Sequence, residues 1–172
     1  RGIFRGPTNK YLKLAIGLVV LLPPWFAIVD LRGTQTFGPH LALYTFLIFW
    51  AADIGAYIAG RSMGRKKLAS NISPGKTLEG VYGAAAAVVL LAVGGAYYFD
   101  LRGGEFMVFV LISVLAAAVS IIGDLYESLL KRMAGVKDSG KILPGHGGML
   151  DRIDSLTAGA PVFALGYGLL LA

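Results

Sequence analysis

Long apolar stretches alternate with short polar ones along the whole chain. Each apolar stretch approaches the roughly 20 helical residues needed to cross a hydrocarbon core of about 30 Å. Because lipid offers no partner to an open backbone, each stretch is predicted to be a helix. The pattern therefore indicates an all-α fold, a polytopic membrane helix bundle with about five transmembrane helices. The predicted spans are Leu12 to Leu31, His40 to Gly60, Gly80 to Phe99, Phe106 to Gly123 and Thr157 to Ala172.

The sequence indicates a single domain. No internal repeat, low-complexity tract or linker divides it, so residues 1–172 are predicted to form one membrane domain with polar loops at 61–79 and 124–156. Pro23 and Pro24 lie inside the first span, where we expect them to kink or break the helix. The chain opens with Arg1 and shows no signal-peptide pattern, so we expect a fragment or a processed form.

The basic residues predict how the bundle is oriented. Of the sixteen lysines and arginines, only Arg32 and Arg102 lie between the first and second spans or between the third and fourth. The others flank the first span on its N-terminal side or lie in the two long loops. The positive-inside rule then puts the N-terminus and both long loops in the cytoplasm and the C-terminus on the far side.

Composition narrows the chemistry. With 56% hydrophobic and 15% charged residues, the chain is more apolar than soluble domains, which have about 45–50% and about 25%. The absence of cysteine excludes disulfides, thiolate metal sites and cysteine nucleophiles. The net charge of +6 is explained by topology and anionic lipid headgroups, so we expect the lipid bilayer, and no nucleic acid, as a partner.

Asp53 is a candidate functional residue because it lies within the second predicted span. A carboxylate there costs a few kcal/mol, so it normally faces a cavity, a partner or a bound ion. The alternative is an ion pair with Arg61 or Arg65 near the cytoplasmic end of the helix.

A second candidate segment, residues 70–80, precedes the third span. Pro74 and Gly75 favour a turn, and backbone N–H groups at the following helix start can meet an anion beside Lys76. The segment ends like a P-loop but lacks the upstream glycine of that motif. The alternative is an ordinary helix cap supplied by Thr77 or Ser73.

A third cluster ends the fourth span. If that helix continues, Asp124, Glu127 or Ser128, and Lys131 share one face through their three- and four-residue spacing. A carboxylate, a hydroxyl and an ammonium on one face can hold a metal and the phosphate that it bridges. The alternative is a solvated helix end whose charges pair with one another.

The segment 137–154 is rich in glycine and charge. Glycines around His146 let the backbone approach a ligand closely, although His146 is also compatible with a structural hydrogen-bonding role. Asp151 and Asp154 would share a face if a helix starts there. Oxygen ligands of this kind suit Mg²⁺.

Taken together, these segments resemble the phosphatidate cytidylyltransferase (CDP-diacylglycerol synthase) family. The resemblance is strongest over residues 128–154, which match the family signature at nearly every defining position, and extends to Asp53–Tyr57 and Ser73–Gly80. Many members have a lysine or arginine at Gly75 and a tryptophan at Leu78. The family usually has more membrane helices before this region, so we expect the chain to be truncated at its N-terminus.

The resemblance implies an enzyme that moves CMP from CTP to phosphatidic acid in phospholipid biosynthesis, with Mg²⁺ and room for a second metal ion. It implies a site facing the cytoplasm from a bacterial inner membrane, and it is compatible with a homodimer. The implied metal ligands are Asp124 and Asp151, then Asp154 and Asp53. The implied catalytic residues are Asp124, Ser128, Lys131, Arg132 and Asp151. The implied substrate contacts are Ser73, Lys76, Lys137, Asp138, Gly145, His146, Gly147, Gly148 and Arg152.

Two other functions stay open. One is a CTP-dependent lipid kinase or another lipid-phosphate transferase. The other is an ion-coupled transporter, because an intramembrane carboxylate such as Asp53 also marks ion paths.

Overall fold

A computed structural model describes residues 9–34, 36–136, 138–140 and 148–171; the side chains at 13, 152 and 171 lie outside that description. Within these ranges the chain forms five α-helices, a β-hairpin and a 3₁₀ turn. The helices are α1 (Lys10–Gly33), α2 (Gly38–Met63), α3 (Leu78–Tyr98), α4 (Gly104–Met133) and α5 (Asp154–Leu171). The strands β1 (Lys67–Ala69) and β2 (Ser73–Thr77) connect α2 to α3, and the 3₁₀ turn spans Leu150–Arg152.

The five helices correspond to the five predicted spans, which confirms the helical membrane bundle. In the part of the chain that the structure describes, α1 to α4 are each long and apolar enough to cross a membrane. The chain is therefore an integral membrane protein. The shorter α5 packs against α4 and α1, and α2 packs mainly against α3.

Helices extend into both of the predicted polar loops, 61–79 and 124–156. Helix α2 continues to Met63, α4 continues to Met133, and α5 already begins at Asp154. Hydropathy does not reveal these ends, because long charged side chains let a helix continue past the hydrocarbon core while their heads reach water.

The first helix is not broken, since Pro23 and Pro24 both lie inside the continuous α1. Each proline removes one backbone donor, but membrane helices tolerate this where neighbouring groups satisfy the freed carbonyls. Pro24 is buried. The helix begins at a conventional cap, where the side chain of Asn9 accepts a 2.9 Å hydrogen bond from the backbone N–H of Tyr11.

Small residues bring α2 and α3 close together. A Cβ atom added to Gly55 would lie 2.5 Å from the carbonyl oxygen of Gly83 and 2.7 Å from the Cβ atom of Ala87. Such interfaces are typical of membrane helix pairs, whose association depends on tight packing rather than on a hydrophobic driving force. The contact brings the part of α2 that carries Asp53 beside the start of α3.

The β-hairpin between α2 and α3 is a feature that the sequence did not predict. Its strands are antiparallel, with Lys67 opposite Thr77 and Ala69 opposite Ser73, and the register is irregular between these pairs. Both strands are edges, so Pro74 can lie in β2 without removing a donor that a further strand needs.

Thr77 ends the hairpin and caps α3. Its buried hydroxyl accepts a 3.1 Å hydrogen bond from the backbone N–H of Gly80. Of the two capping residues considered for this segment, Thr77 is the one that caps the helix, and Ser73 lies in β2.

Candidate active site

A cavity of about 180 Å³ lies at one end of the bundle, where α2 and α4 end and α3 and α5 begin. Its polar lining comes from several elements of the fold. Alongside small apolar residues, that lining comprises Asp53, Tyr57, Lys76, Thr77, Ser120, Asp124 and Ser155.

An ion pair crosses this cavity. Lys76 Nζ in β2 lies 2.5 Å from Asp124 Oδ2 in α4, and the two side chains are 25% and 23% exposed. Ser128, one turn further along α4, donates a long hydrogen bond of 3.4 Å to the other oxygen of Asp124. The hairpin therefore presents Lys76 to the face of α4 that the sequence singled out.

Three carboxylates converge here. Asp53 and Asp124 both line the cavity, and Asp154 at the start of α5 is close enough to both for their charges to repel. Lys76 offsets this repulsion for Asp53 and Asp124, and Lys131 together with Lys76 offsets it for Asp154. A concentration of negative charge with partial compensation is a place where a cation is favoured.

Asp53 does not form the ion pair with Arg61 or Arg65 that was the alternative to a functional role. Among the described side chains, the guanidinium of Arg61 instead donates a 2.5 Å hydrogen bond to the hydroxyl of Tyr57. The backbone N–H of Arg65 donates to Glu79 at 3.0 Å. The structural alternative for Asp53 is therefore wrong, although this does not by itself assign it a function.

The donor set suits a hard divalent cation by its chemistry, because carboxylate oxygens are the ligands that Mg²⁺ prefers. Over the described ranges, however, no three Asp, Glu or His side chains stand in a ready-made metal-binding group. The assignment of Asp53, Asp124, Asp151 and Asp154 as ligands therefore stays a prediction.

A second ion-pair network lies on the next turn of α4. Lys131 Nζ contacts Asp151 Oδ1 at 2.7 Å and Glu127 Oε1 at 3.3 Å, and all three side chains are 15% exposed or less. The contact with Glu127 lacks hydrogen-bond geometry, which leaves that buried oxygen without a hydrogen-bond partner. Lys131 thus ties the end of α4 to the 3₁₀ turn, besides forming the local pair that the alternative expected.

Asp151 is held by several donors. Its Oδ1 accepts from Lys131, while Oδ2 accepts from the backbone N–H of Ser139 at 2.9 Å, the Ser139 hydroxyl at 3.0 Å and the backbone N–H of Gly148 at 2.8 Å. Burial disfavours the charged carboxylate, but these hydrogen bonds outweigh it and lower the pKa of Asp151 far below its ordinary value. Asp151 is therefore ionised throughout the physiological range.

Arg132 points toward the hairpin. Its Nε donates a 3.3 Å hydrogen bond to the carbonyl oxygen of Ile72 in the hairpin turn. The end of α4 thus contacts both the strand that carries Lys76 and the turn of the same hairpin.

Comparison with known proteins shows the family of the chain. The profile of the cytidylyltransferase family matches residues 3–170. The chain belongs to the cytidylyltransferase family. It is 45% identical over 156 residues to the phosphatidate cytidylyltransferase of Pseudomonas aeruginosa, covering 91% of this chain and 57% of that protein. It is 43% identical over 167 residues to the phosphatidate cytidylyltransferase of Haemophilus influenzae, covering 92% and 58%. The chain thus spans somewhat more than half the length of these relatives.

The structure describes some of the other candidate residues of this cytidylyltransferase-family chain. Ser73 is half-buried in β2, and Asp138 is exposed. Gly148 is buried where the chain comes close to itself, because a Cβ atom there would lie 2.6 Å from the backbone nitrogen of Gly140. The remaining substrate candidates lie outside the described residues, Arg152 by its side chain only: Lys137, Gly145, His146, Gly147 and Arg152.

Ser155 and Glu79 are among the residues near the site that the sequence does not single out. Ser155 lines the cavity beside Asp154, and Glu79 accepts hydrogen bonds from the chain that leads into β1. The available signal was their position in the first turn of a helix, which is common for such residues and therefore uninformative.

Proposed function

We propose that the protein transfers CMP from CTP to phosphatidic acid, forming CDP-diacylglycerol and pyrophosphate. The supporting observation is that two lysines, Lys76 and Lys131, each form an ion pair with an aspartate at the charged end of the membrane bundle. Cations held at fixed positions are what a reaction between two polyanions needs. The names of the Pseudomonas and Haemophilus relatives support the same substrates.

The chemistry fits the residue types in the site. A phosphate oxygen of phosphatidate is already ionised at neutral pH, so it attacks the α-phosphorus of CTP without a strong general base. A new bond forms between this oxygen and the α-phosphorus, while the bond from the α-phosphorus to the β-bridging oxygen breaks. Pyrophosphate leaves with the electron pair of that bond. In-line transfer of this kind depends mainly on positioning and electrostatic stabilisation.

The roles of the basic residues follow from their positions. Lys76 reaches the cavity from the hairpin, where it offsets charge on the triphosphate. Lys131 and Arg132 at the end of α4 offset charge on the attacking phosphate or on the departing pyrophosphate. Ser128 completes this face of α4 as a hydrogen-bonding hydroxyl. Because Lys76 and Lys131 already rest on carboxylates, they are oriented before a substrate arrives.

The glycine-rich segment supplies the remaining proposed contacts. Ser73, Lys137, Asp138, Arg152 and the glycines around His146 are proposed to bind the nucleotide and its phosphates. Asp151 holds this segment against α4 through Ser139 and Gly148, so its backbone is fixed near Lys131.

Mg²⁺ is part of the proposal, with Asp124 and Asp151 as ligands and Asp154 and Asp53 as further ones. When bound, the ion would neutralise charge on the triphosphate and align it. Addition of a Mg²⁺ chelator is expected to abolish turnover, and excess Mg²⁺ to restore it. Turnover that persists under chelation would remove the metal from the proposal.

The proposal also includes the location of the protein and its oligomeric state. We place the protein in a bacterial inner membrane with the charged end of the bundle facing the cytoplasm, where CTP is available and the phosphate of a lipid can reach the site. We also propose that the protein forms a homodimer. The molecular mass of the detergent-solubilised protein, measured by light scattering, distinguishes a homodimer from a monomer.

The decisive experiment compares two labels. Membranes containing the protein receive phosphatidic acid, Mg²⁺ and CTP carrying ³²P at either the α or the γ position, and lipid is then extracted. Label from α-³²P-CTP and none from γ-³²P-CTP, dependent on phosphatidic acid, is the expected result. Label from the γ position alone would identify the CTP-dependent lipid kinase instead.

A second arm addresses the length of the chain. The same assay is run on a protein that adds the part of the Pseudomonas aeruginosa relative that this chain does not match. Label only in the longer protein means that the activity needs that part. Silence in both proteins contradicts the proposal and favours the transporter, which an ion-flux assay on Asp53→Asn then tests.

A further inference from the structure

Glu79, in the first turn of α3, accepts hydrogen bonds from a neighbouring segment of the chain. Its Oε2 accepts from the backbone N–H of Arg65 at 3.0 Å and from that of Lys66 at 3.2 Å. These two residues lead directly into β1. The backbone closes the same junction, because the N–H of Leu78 donates to the carbonyl oxygen of Lys66 at 2.9 Å.

This contact matters because the hairpin is small. Two strands of three and five residues are marginal on their own, so their position must come from contacts with the rest of the protein. At the base of the hairpin, the Glu79 carboxylate supplies a charge-assisted acceptor for two backbone donors. At its turn, Arg132 donates to the carbonyl oxygen of Ile72.

The hairpin carries one side chain that reaches the cavity as a cation, Lys76, on the strand that returns to α3. Its Nζ lies 2.5 Å from Asp124 Oδ2, so the contact joins β2 to α4. A displacement of about 1 Å at a site of this kind costs on the order of a hundredfold in rate. The base of the hairpin therefore controls the position of a cation in the site.

We propose that Glu79 is a positioning residue, which fixes the hairpin so that Lys76 stands over the cavity in the orientation that receives a nucleotide triphosphate. The choice of ligand rests on the proposed cytidylyl transfer, whereas the positioning of the hairpin does not. Glu79 touches no reacting group; it acts through Lys76.

A simpler role for Glu79 is a favourable charge at the N-terminal end of a helix, and Glu105 provides the matched control. Glu105 is the second residue of α4, as Glu79 is the second residue of α3. Among the hydrogen bonds of the described residues, the Glu105 side chain accepts none from a neighbouring segment, in contrast to Glu79. If only the charge at the helix end mattered, Glu79→Gln and Glu105→Gln would behave alike.

The first measurement follows the hairpin itself and needs no activity. Because the chain has no cysteine, nitroxide labels can be attached at Asn71→Cys in the hairpin turn and at Leu90→Cys on the exposed face of α3. Electron–electron double resonance then gives the distribution of distances between the two labels. We expect a single narrow distribution for the parent protein and for Glu105→Gln, and a broad one for Glu79→Gln.

The second measurement asks whether Glu79 acts through Lys76. Glu79→Gln is expected to lower kcat/KM for CTP by on the order of tenfold to a hundredfold, with little change in KM for phosphatidic acid. Lys76→Met removes the cation and keeps the hairpin anchored, so its distance distribution stays narrow. The double variant is expected to be no worse than Lys76→Met alone, because the effects of coupled residues do not add.

Either measurement can overturn the proposal. An equally narrow distance distribution in Glu79→Gln, or multiplicative losses in the double variant, would show that Glu79 does not work by placing Lys76. If Glu79→Gln does not accumulate in the membrane, Glu79→Asp keeps the charge, shortens the reach, and is expected to broaden the distribution as well. If neither the parent protein nor the longer protein transfers label from CTP, the proposed function fails, while the distance measurement still decides the role of Glu79.

Discussion

The two ends of the bundle differ in composition, since one is charged and the other is aromatic. At the charged end, Lys76, Asp124, Lys131 and Asp151 meet with side chains that keep between 11% and 25% of their surface exposed. At the opposite end, aromatic rings from three helices and from the C-cap of α3 pack together with 5% exposure or less. These rings belong to Tyr44, Phe99, Phe109, Phe163 and Tyr167.

At the aromatic end, the rings pack at favourable distances and the buried hydroxyls have hydrogen-bond partners. Ring centroids of Tyr44 and Phe109 lie 5.0 Å apart, and those of Phe109 and Phe163 lie 5.9 Å apart, within the range of favourable aromatic pairs. The buried hydroxyls of Tyr44 and Ser113 are both hydrogen-bonded, because they lie 2.9 Å apart and Ser113 also donates to the carbonyl oxygen of Phe109.

At the charged end, by contrast, like charges lie close together and one buried oxygen lacks a hydrogen-bond partner. Asp53, Asp124 and Asp154 repel one another, and the buried Glu127 Oε1 lacks a hydrogen-bond partner. Such an arrangement lowers stability, and proteins accept it where a site needs it. The comparison teaches that the aromatic end holds the bundle together, while the charged end, where we propose that substrates bind, lowers the stability of the bundle.

The largest expected effect is at the charged end. Asp124→Asn leaves Lys76 without its carboxylate partner and removes a proposed metal ligand, so turnover in the labelled-CTP assay should fall by roughly a thousandfold. Stability should stay the same or rise, because a partly exposed ion pair contributes at most about 1 kcal/mol and one repelling carboxylate is gone. Thermal unfolding in detergent measures the stability.

Asp151→Asn should also abolish turnover while the protein still inserts into the membrane. Turnover retained in both Asp124→Asn and Asp151→Asn would contradict the metal assignment.

The next effect tests the aromatic end. Phe109→Ala removes a fully buried ring from the centre of the cluster and should lower the free energy of unfolding by about 4 kcal/mol. The folded protein should keep its kcat/KM, since the ring is remote from the cavity. Phe26→Ala is the matched control, because Phe26 is 63% exposed on α1. Equal losses in the two variants, in unfolding by SDS titration, would mean that the cluster does not hold the bundle.

The sequence predicted the two ends unequally. Polar residues in an apolar chain stand out, so the sequence singles out Asp53, Lys76, Asp124 and Lys131 as candidates. The aromatic cluster was not, because rings such as Phe109 are ordinary members of an apolar span, and hydropathy does not reveal which face of a helix meets its neighbours.

Contacts between distant segments explain the other misses. The hairpin depends on Glu79 holding Arg65 and Lys66, which lie more than ten residues away in the chain. The pairing of Lys76 with Asp124 likewise joins two elements that local spacing cannot relate. The sequence leaves the continuation of α4 to Met133 open, because the last turns of this helix are charged. In the structure, Lys131 in these turns pairs with Asp151 and so joins α4 to the 3₁₀ turn.

A smaller effect is expected where the two ends are joined. Gly83→Ala places a methyl group against Ala59 and the carbonyl oxygen of Gly55, so α3 must move away from α2. Overpacking of this kind costs about 2 kcal/mol, and here it also shifts Asp53 relative to Lys76, so stability and turnover should fall together. Gly94→Ala on the same helix meets open space and should change neither. A loss of stability without loss of turnover would show that the α2–α3 spacing does not set the site.

The smallest effect separates packing from hydrogen bonding at the aromatic end. Since Ser113 gives its hydrogen to the Phe109 carbonyl, the Tyr44 hydroxyl must be the donor in the bond between them. Tyr44→Phe removes that donor, keeps the ring and leaves Ser113 with its own acceptor, so unfolding should become easier by only about 1 kcal/mol. Tyr82→Phe removes a hydroxyl from a side chain that is 66% exposed and should have no effect. A loss at Tyr44 as large as that of Phe109→Ala would mean that the hydrogen bond, rather than the stacked rings, organises this end of the bundle.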